Sequence, residues 1–86
     1  MVLDAARKRD EGLNVSTEAS CAKMFATEMC GRVADRGVQI HGGAGYVSEY
    51  AIERFYRDAR LFRLYEGTTQ IQQVIIARNM IREAQR

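Results

Sequence analysis

Residues 16–40 read STEASCAKMFATEMCGRVADRGVQI. Along this stretch Ala22, Phe25, Ala26, Met29, Val33, Gly37 and Ile40 recur at three- and four-residue steps, the period of one face of an α-helix. Ser16 is placed as an N-cap and Glu18 in the first turn opposes the helix dipole. The pattern predicts a helix from Thr17 to about Ile40, roughly 36 Å long. Its apolar face is rich in Ala, Gly and Cys, and small side chains let another helix approach closely, as in a bundle core.

Shorter helices flank this one. Residues 1–12 pair Asp4 with Lys8 and Arg7 with Glu11 at i,i+4, and Gly12 is positioned to end that helix before a Leu13–Val15 linker. Downstream, three glycines within Gly42–Gly45 break the long helix. A third helix is expected after Ser48, with Ile52, Phe55, Tyr56 and Ala59 as its buried stripe. Leu61–Tyr65 blurs the period, so this helix has no clear end. Glu66-Gly67-Thr68-Thr69 makes a second break, and Thr69 with Gln72 fits a capping box. The last helix carries Ile71, Val74, Ile75 and Ile81, with Arg78 and Arg82 near its end. The fold class expected is all-α, an up-and-down bundle of three to four helices forming one domain over residues 1–86. Because the first helix is short, there is room for completion by oligomerisation.

Composition narrows the function classes. The chain has 86 residues, 47% apolar and 28% charged, which excludes disorder. A domain of this size hides only roughly 64% of its unfolded surface, so its core is marginal. Strictly apolar runs do not exceed four residues, as in Val74-Ile75-Ile76-Ala77, so no membrane span is expected. The net charge of +2 gives no reason to expect a polyanionic partner. Cys21 and Cys30 fall on opposite faces of one helix, about 13 Å apart along its axis, too far to pair. A single histidine, His41, argues against a structural zinc site. No metal is expected, and reduced cysteines without a signal peptide point to the cytoplasm.

Three features could carry chemistry. The glycine stretch after Gln39-Ile40-His41 is neither a Rossmann fingerprint nor a P-loop, since no strand precedes it and no Gly-Lys-Ser/Thr follows. It reads as a helix–helix turn, or as backbone amides laid against a flat or phosphorylated ligand. Arg54, Arg57, Arg60 and Arg63 drift around a helix rather than forming one stripe, with Glu53 and Asp58 among them. A solvated or ion-paired face fits them better than a nucleic-acid surface. Glu66 stands between an aromatic run and a glycine at a helix start. It is either a first-turn acid or a base held on a turn beside a cavity, and the pattern leaves both readings open.

Three runs in order, Val38-Gln39-Ile40-His41-Gly42-Gly43-Ala44-Gly45-Tyr46, Glu53-Arg54-Phe55-Tyr56-Arg57-Asp58-Ala59-Arg60 and Tyr65-Glu66-Gly67-Thr68-Thr69-Gln70-Ile71-Gln72, resemble the C-terminal bundle of the acyl-CoA dehydrogenases. Lys8–Gly12 and Glu18–Lys23 fit the preceding helices. The resemblance implies an FAD-dependent oxidoreductase that converts an acyl-CoA thioester to the trans-2-enoyl-CoA. It makes Glu66 the base that removes the α-proton. It assigns Gly67, Thr68, Thr69 and Gln70 to the flavin side of the site, and Gln39, Ile40, His41, Gly42 and Gly43 to the FAD of a neighbouring subunit. Tyr65 falls near the acyl chain, and Glu66 and Gly67 line the substrate position. The implied partners are an acyl-CoA, an electron-transfer flavoprotein and further copies of the chain, with no nucleic acid. Ala51 stands where many members have proline, and His41 where many have an apolar residue. The family's N-terminal helical domain and central β-domain have no counterpart in these residues. A partial FAD site, not retained by the chain alone, and no activity in isolation are therefore expected. The alternative is a non-catalytic, self-associating helical module derived from that domain.

Overall fold

The computed structural model describes residues 1–85. All of its regular elements are helical: α1 (Val2–Asp10), α2 (Ser16–His41), α3 (Ile52–Leu61) and α4 (Thr69–Ala84), with short 3-10 turns at Gly42–Tyr46 and Ser48–Tyr50. The expected all-α class with four helices is what forms.

The long α2 is the spine. Contacts descend it in antiparallel order: Gly37 meets Ile52, Gly31 meets Arg63, Glu28 meets Thr69, Lys23 meets Gly67 and Ser16 meets Asn79. Thus α3 covers the C-terminal half of α2 and α4 the N-terminal half. Among the described residues α3 and α4 do not pack on each other. The short α1 lies against the start of α2, with the Lys8 ammonium 3.7 Å from the Glu18 carboxylate. Any cross-section therefore holds about two helices. The molecule measures 54 × 24 × 18 Å with a radius of gyration of 16.6 Å, against about 12 Å for a compact chain of this length.

The helix ends show where local signals were displaced. Gly12 takes φ +82 and ends α1 as expected. Ser16 does not cap α2. Its N–H donates to Asn14 Oδ1 at 3.0 Å, and its hydroxyl accepts from Asn79 Nδ2 at 3.0 Å. The tertiary contact with α4 takes the oxygen that would have capped. The third helix starts at Ile52, capped not by Ser48 but by Ala51 at φ +65, a conformation closed to proline. The cap of α4 is Thr68, whose hydroxyl accepts from the Ile71 N–H at 3.2 Å, one residue before the expected Thr69.

The covered faces are the small ones. Ala5, Ala22 and Ala59 are buried, and no side chain is completely enclosed. Of the expected core stripe of α2, Ala22 is buried and Gly37 faces Ile52, but the large members are exposed, with Phe25 at 55%, Val33 at 58% and Ile40 at 84%. Phe55 on α3 and Ile71, Val74 and Ile81 on α4 are likewise exposed. The accessible surface is 6689 Å², where a compact monomer of this mass would show about 5,200 Å².

Close helix approach should be the sensitive point of this packing. A Cβ on Gly37 would sit 3.0 Å from Ile52 Cδ1, so Gly37→Leu is expected to cost about 1–3 kcal/mol, read as a lowered Tm. The control Gly43→Ala, where a Cβ meets nothing within 4 Å, should change stability by less than about 0.5 kcal/mol.

Candidate functional site

The turn between α3 and α4 contains most of the residues singled out from the sequence. Arg63 and Thr69 are its neck, joined by a backbone hydrogen bond from Thr69 N–H to the Arg63 carbonyl at 3.2 Å. The same two residues meet again through Glu28 of α2, which accepts from Thr69 Oγ1 at 2.7 Å and from Arg63 Nη1 at 3.1 Å. The Thr69 hydroxyl holds the Glu28 carboxyl below its ordinary value, and Arg63 adds to this against partial burial. A Cβ on Gly31 would lie 3.5 Å from Arg63 Nε, and that Nε has no partner among the described residues.

At the tip are Glu66, at φ +53, and Gly67, at φ +87. A non-glycine residue in the left-handed region costs about 1–2 kcal/mol and persists only where its surroundings hold it. Here they do. Lys23 Nζ donates to the Gly67 carbonyl at 2.6 Å, and Gln72 Nε2 donates to the Glu66 and Gly67 carbonyls at 3.3 and 3.4 Å. A Cβ on Gly67 would lie 2.5 Å from Gln72 Nε2, so this glycine has a structural need inside the chain. The Glu66 carboxylate is exposed. Among the described residues it makes no hydrogen bond or ion pair, and the Glu66 N–H has no partner. Tyr65 is half-exposed and its ring stacks on Phe62, with centroids 5.9 Å apart. Gln70 is exposed in the first turn of α4.

The second group, Gln39 to Gly43, lies at the other end of α2. Nineteen residues separate Lys23 from Gly42, about 28 Å along the helix. One chain therefore does not bring Glu66 and the glycine turn into a common cavity among the described residues. Gln39, Ile40, His41, Gly42 and Gly43 are all exposed. His41 Nδ1 is 2.8 Å from the Gly37 carbonyl, and since that oxygen only accepts, Nδ1 carries the proton. Gly42 is at φ +63, and a Cβ on Gly45 would meet the Val38 carbonyl at 2.5 Å. Gly43 has neither constraint, and its backbone is open to approach. Such an open edge leaves backbone amides accessible to a ligand.

Of the arginine series only Arg63 forms an ion pair among the described residues; Arg54, Arg57 and Arg60 are exposed. Cys21 and Cys30 are free and half-buried. No group of three or more metal-ligating side chains forms among the described residues, and no helix is long and apolar enough to cross a membrane. Sequence reasoning missed the roles of Lys23, Glu28 and Gln72 in holding the turn. Their partners lie on other elements or behind the cap, and i,i+3 or i,i+4 periodicity carries no signal for that.

Comparison with known proteins agrees with this architecture. The family model for the acyl-CoA dehydrogenase C-terminal domain matches residues 1–81, and the chain belongs to that family. It is 46% identical over 83 residues to the caffeyl-CoA reductase–Etf complex subunit CarC of Acetobacterium woodii, covering 96% of this chain and 22% of that protein. It is 46% identical over 82 residues to the probable acyl-CoA dehydrogenase YngJ of Bacillus subtilis, covering 95% and 22%. It is 41% identical over 78 residues to the mitochondrial short-chain specific acyl-CoA dehydrogenase of Rattus norvegicus, covering 91% and 19%. The chain thus spans about a fifth of the length of these relatives.

The bridge at the neck should give stability a defined pH dependence. Because the folded Glu28 carboxyl sits below its ordinary 4.5, the unfolded chain binds the proton first as pH falls. The contribution is complete above about pH 4.5 and is lost below it. Melting curves of wild type and Glu28→Gln should therefore differ most near neutral pH and converge in acid. A constant difference between them down to pH 3 would remove Glu28 from this role.

Proposed function

We propose, with family membership as the premise, that this chain is the part of an FAD-dependent acyl-CoA dehydrogenase that carries the α-proton-abstracting base, Glu66. The observation that supports it is the unpaired Glu66 carboxylate at the tip of a turn whose every backbone constraint comes from elsewhere. A carboxylate used structurally would be spent on a cap or an ion pair, as Glu28 is.

The α-C–H of a thioester is a poor acid, and a hydrated carboxylate is a weak base toward it. The base gains strength when water is excluded and its charged form is desolvated. Phe62, Leu64 and Tyr65, all partly exposed around the turn, supply an apolar rim against which an acyl chain and the remaining domains would pack. Glu66 takes the α-proton while the β-hydrogen leaves as hydride. The unpartnered Glu66 N–H is free to donate to the thioester oxygen, where negative charge develops. Bound FAD supplies the hydride acceptor. Gly67, Thr68, Thr69 and Gln70 would line one flavin, and Gln39, Ile40, His41, Gly42 and Gly43 would reach a second, held by a neighbouring copy. The 28 Å or so between the two groups accords with two cofactors rather than one. An electron-transfer flavoprotein is the proposed electron partner, consistent with the Etf complex in one relative's name. Relatives are named both as dehydrogenases and as reductases, so the proposal fixes the carbon atoms involved and leaves the net direction to the electron partner. A cytoplasmic setting with reduced cysteines is part of the same reading. The isolated chain, holding only edges of each flavin site, would be inactive.

A second reading, a self-associating module without catalysis, is favoured by the outward apolar faces of α2, α3 and α4. Sedimentation tests it: a stable, well-folded monomer would argue against it.

For the base, the protein uniting this chain with its flavin-binding and CoA-binding domains is the system to assay. Glu66→Gln is expected to cut α-proton exchange of bound acyl-CoA by about 10²–10⁴-fold, with flavin absorbance retained. Unchanged exchange would remove Glu66 from the role.

A further inference from the structure

The turn that carries Glu66 is held at two places, and they do different work. Glu28 closes the neck by joining Arg63 to Thr69. Lys23, on the same helix, reaches past the neck to the tip, where its ammonium lies 2.6 Å from the Gly67 carbonyl. That oxygen also accepts from Gln72 Nε2 at 3.4 Å, so both of its lone pairs are filled. The Glu66 side chain takes no part in these contacts. The direction in which its Cα–Cβ bond leaves the turn is therefore set by the backbone, which holds two successive positive φ values, +53 and +87.

We propose that Lys23 is the positioning residue of the Glu66 turn: by fixing the Gly67 carbonyl it sets the direction of the Glu66 Cα–Cβ bond and of the Glu66 N–H. This rests on reading Glu66 as the base, and adds which group outside the turn sets its direction. A charged donor holds a carbonyl more tightly than a neutral one, and the partner lies 44 residues away in sequence, so the contact ties the tip to the rigid spine. Among the described residues the Lys23 side chain makes no hydrogen bond or ion pair to either neck residue. Its loss should therefore free the tip and leave the neck closed.

Backbone NMR relaxation on the 86-residue chain tests this without flavin or substrate. Wild type should give order parameters near 0.85 at Glu66 and Gly67, and Lys23→Met values below about 0.6. Thr69, bonded to the Arg63 carbonyl, should stay ordered. Lys23→Arg, which keeps a donor on a long stem, should restore the tip. A tip as rigid in Lys23→Met as in wild type, a wild-type tip already mobile, or a loss of order that spreads through Thr69 into α4 would each overturn the proposal. In the assembled flavoenzyme the same substitution should lower kcat about 10–100-fold with KM little changed, since small misplacements of a reacting group cost this much. If Glu66→Gln leaves proton exchange untouched, the base reading falls while the order-parameter result stands. If Glu66→Gln abolishes exchange and Lys23→Met changes nothing, the positioning role alone falls.

Discussion

The Glu28 carboxylate joins the two halves of this molecule. It sits on the spine helix and grips Arg63, just past the end of α3, and Thr69, at the start of α4, within 3.1 Å. Those residues are also hydrogen-bonded to each other through their backbones. Without this bridge, the neck between α3 and α4 would be closed by one backbone hydrogen bond alone. With it, the loop becomes a closed turn of fixed orientation, and the contacts above and below it fall into register. Thr69 is among the most buried polar residues of the chain, and a carboxylate–hydroxyl–guanidinium group is an effective way to satisfy polar atoms there.

The second constraint is steric. The spine approaches α3 across Gly37, where Ile52 faces the glycine, and the turn beyond α3 across Gly31, where Arg63 does. At Gly37, where an added Cβ would already sit 3.0 Å from Ile52 Cδ1, there is no space for a further large apolar side chain. Such side chains therefore accumulate on the opposite faces. The result is a chain whose elements are well formed but whose large hydrophobic groups lie at the surface, with about 1,500 Å² more exposed area than its mass requires. Such area is comparable to a standard protein–protein interface. Self-association, or packing against further domains, would recover the burial that the chain does not achieve by itself.

This division explains what the amino-acid order reveals and what it hides. Helix content and the breaks at Gly12, Gly42–Gly45 and Glu66–Thr68 are local, and were readable from spacing and glycine placement. The stripe of Phe25, Met29 and Val33 was also real as a pattern. Periodicity identifies an apolar face but not the partner that covers it, and here Ala22 is covered while the large members are exposed. The caps moved for a related reason. Ser16 and Thr69 have the right chemistry at nearly the right positions, but each hydroxyl is drawn into a contact with a distant helix, to Asn79 and Glu28. Thr68 and Asn14 supply the local hydrogen bonds instead. The segment around Glu66 was marked by its flanking residues and by family resemblance. The clamp behind it depends on Lys23 and Glu28 meeting a turn some forty residues later, and no local rule encodes that.

On the proposed reading, the two incomplete features of the chain share one remedy. The Glu66 carboxylate stands in water, where it is too weak a base for an α-C–H. Phe62, Leu64 and Tyr65 beside it are partly exposed, where they gain little from the hydrophobic effect. A surface that packs on those side chains dries the turn at the same time, so burial of the rim and activation of the base become one event. The clamp gives that event its precision. A flexible turn would lose conformational entropy on being ordered by a partner or substrate, whereas one already held from behind by Lys23, Glu28 and Gln72 has its backbone in place before anything binds, and only the Glu66 side-chain torsions remain to be fixed.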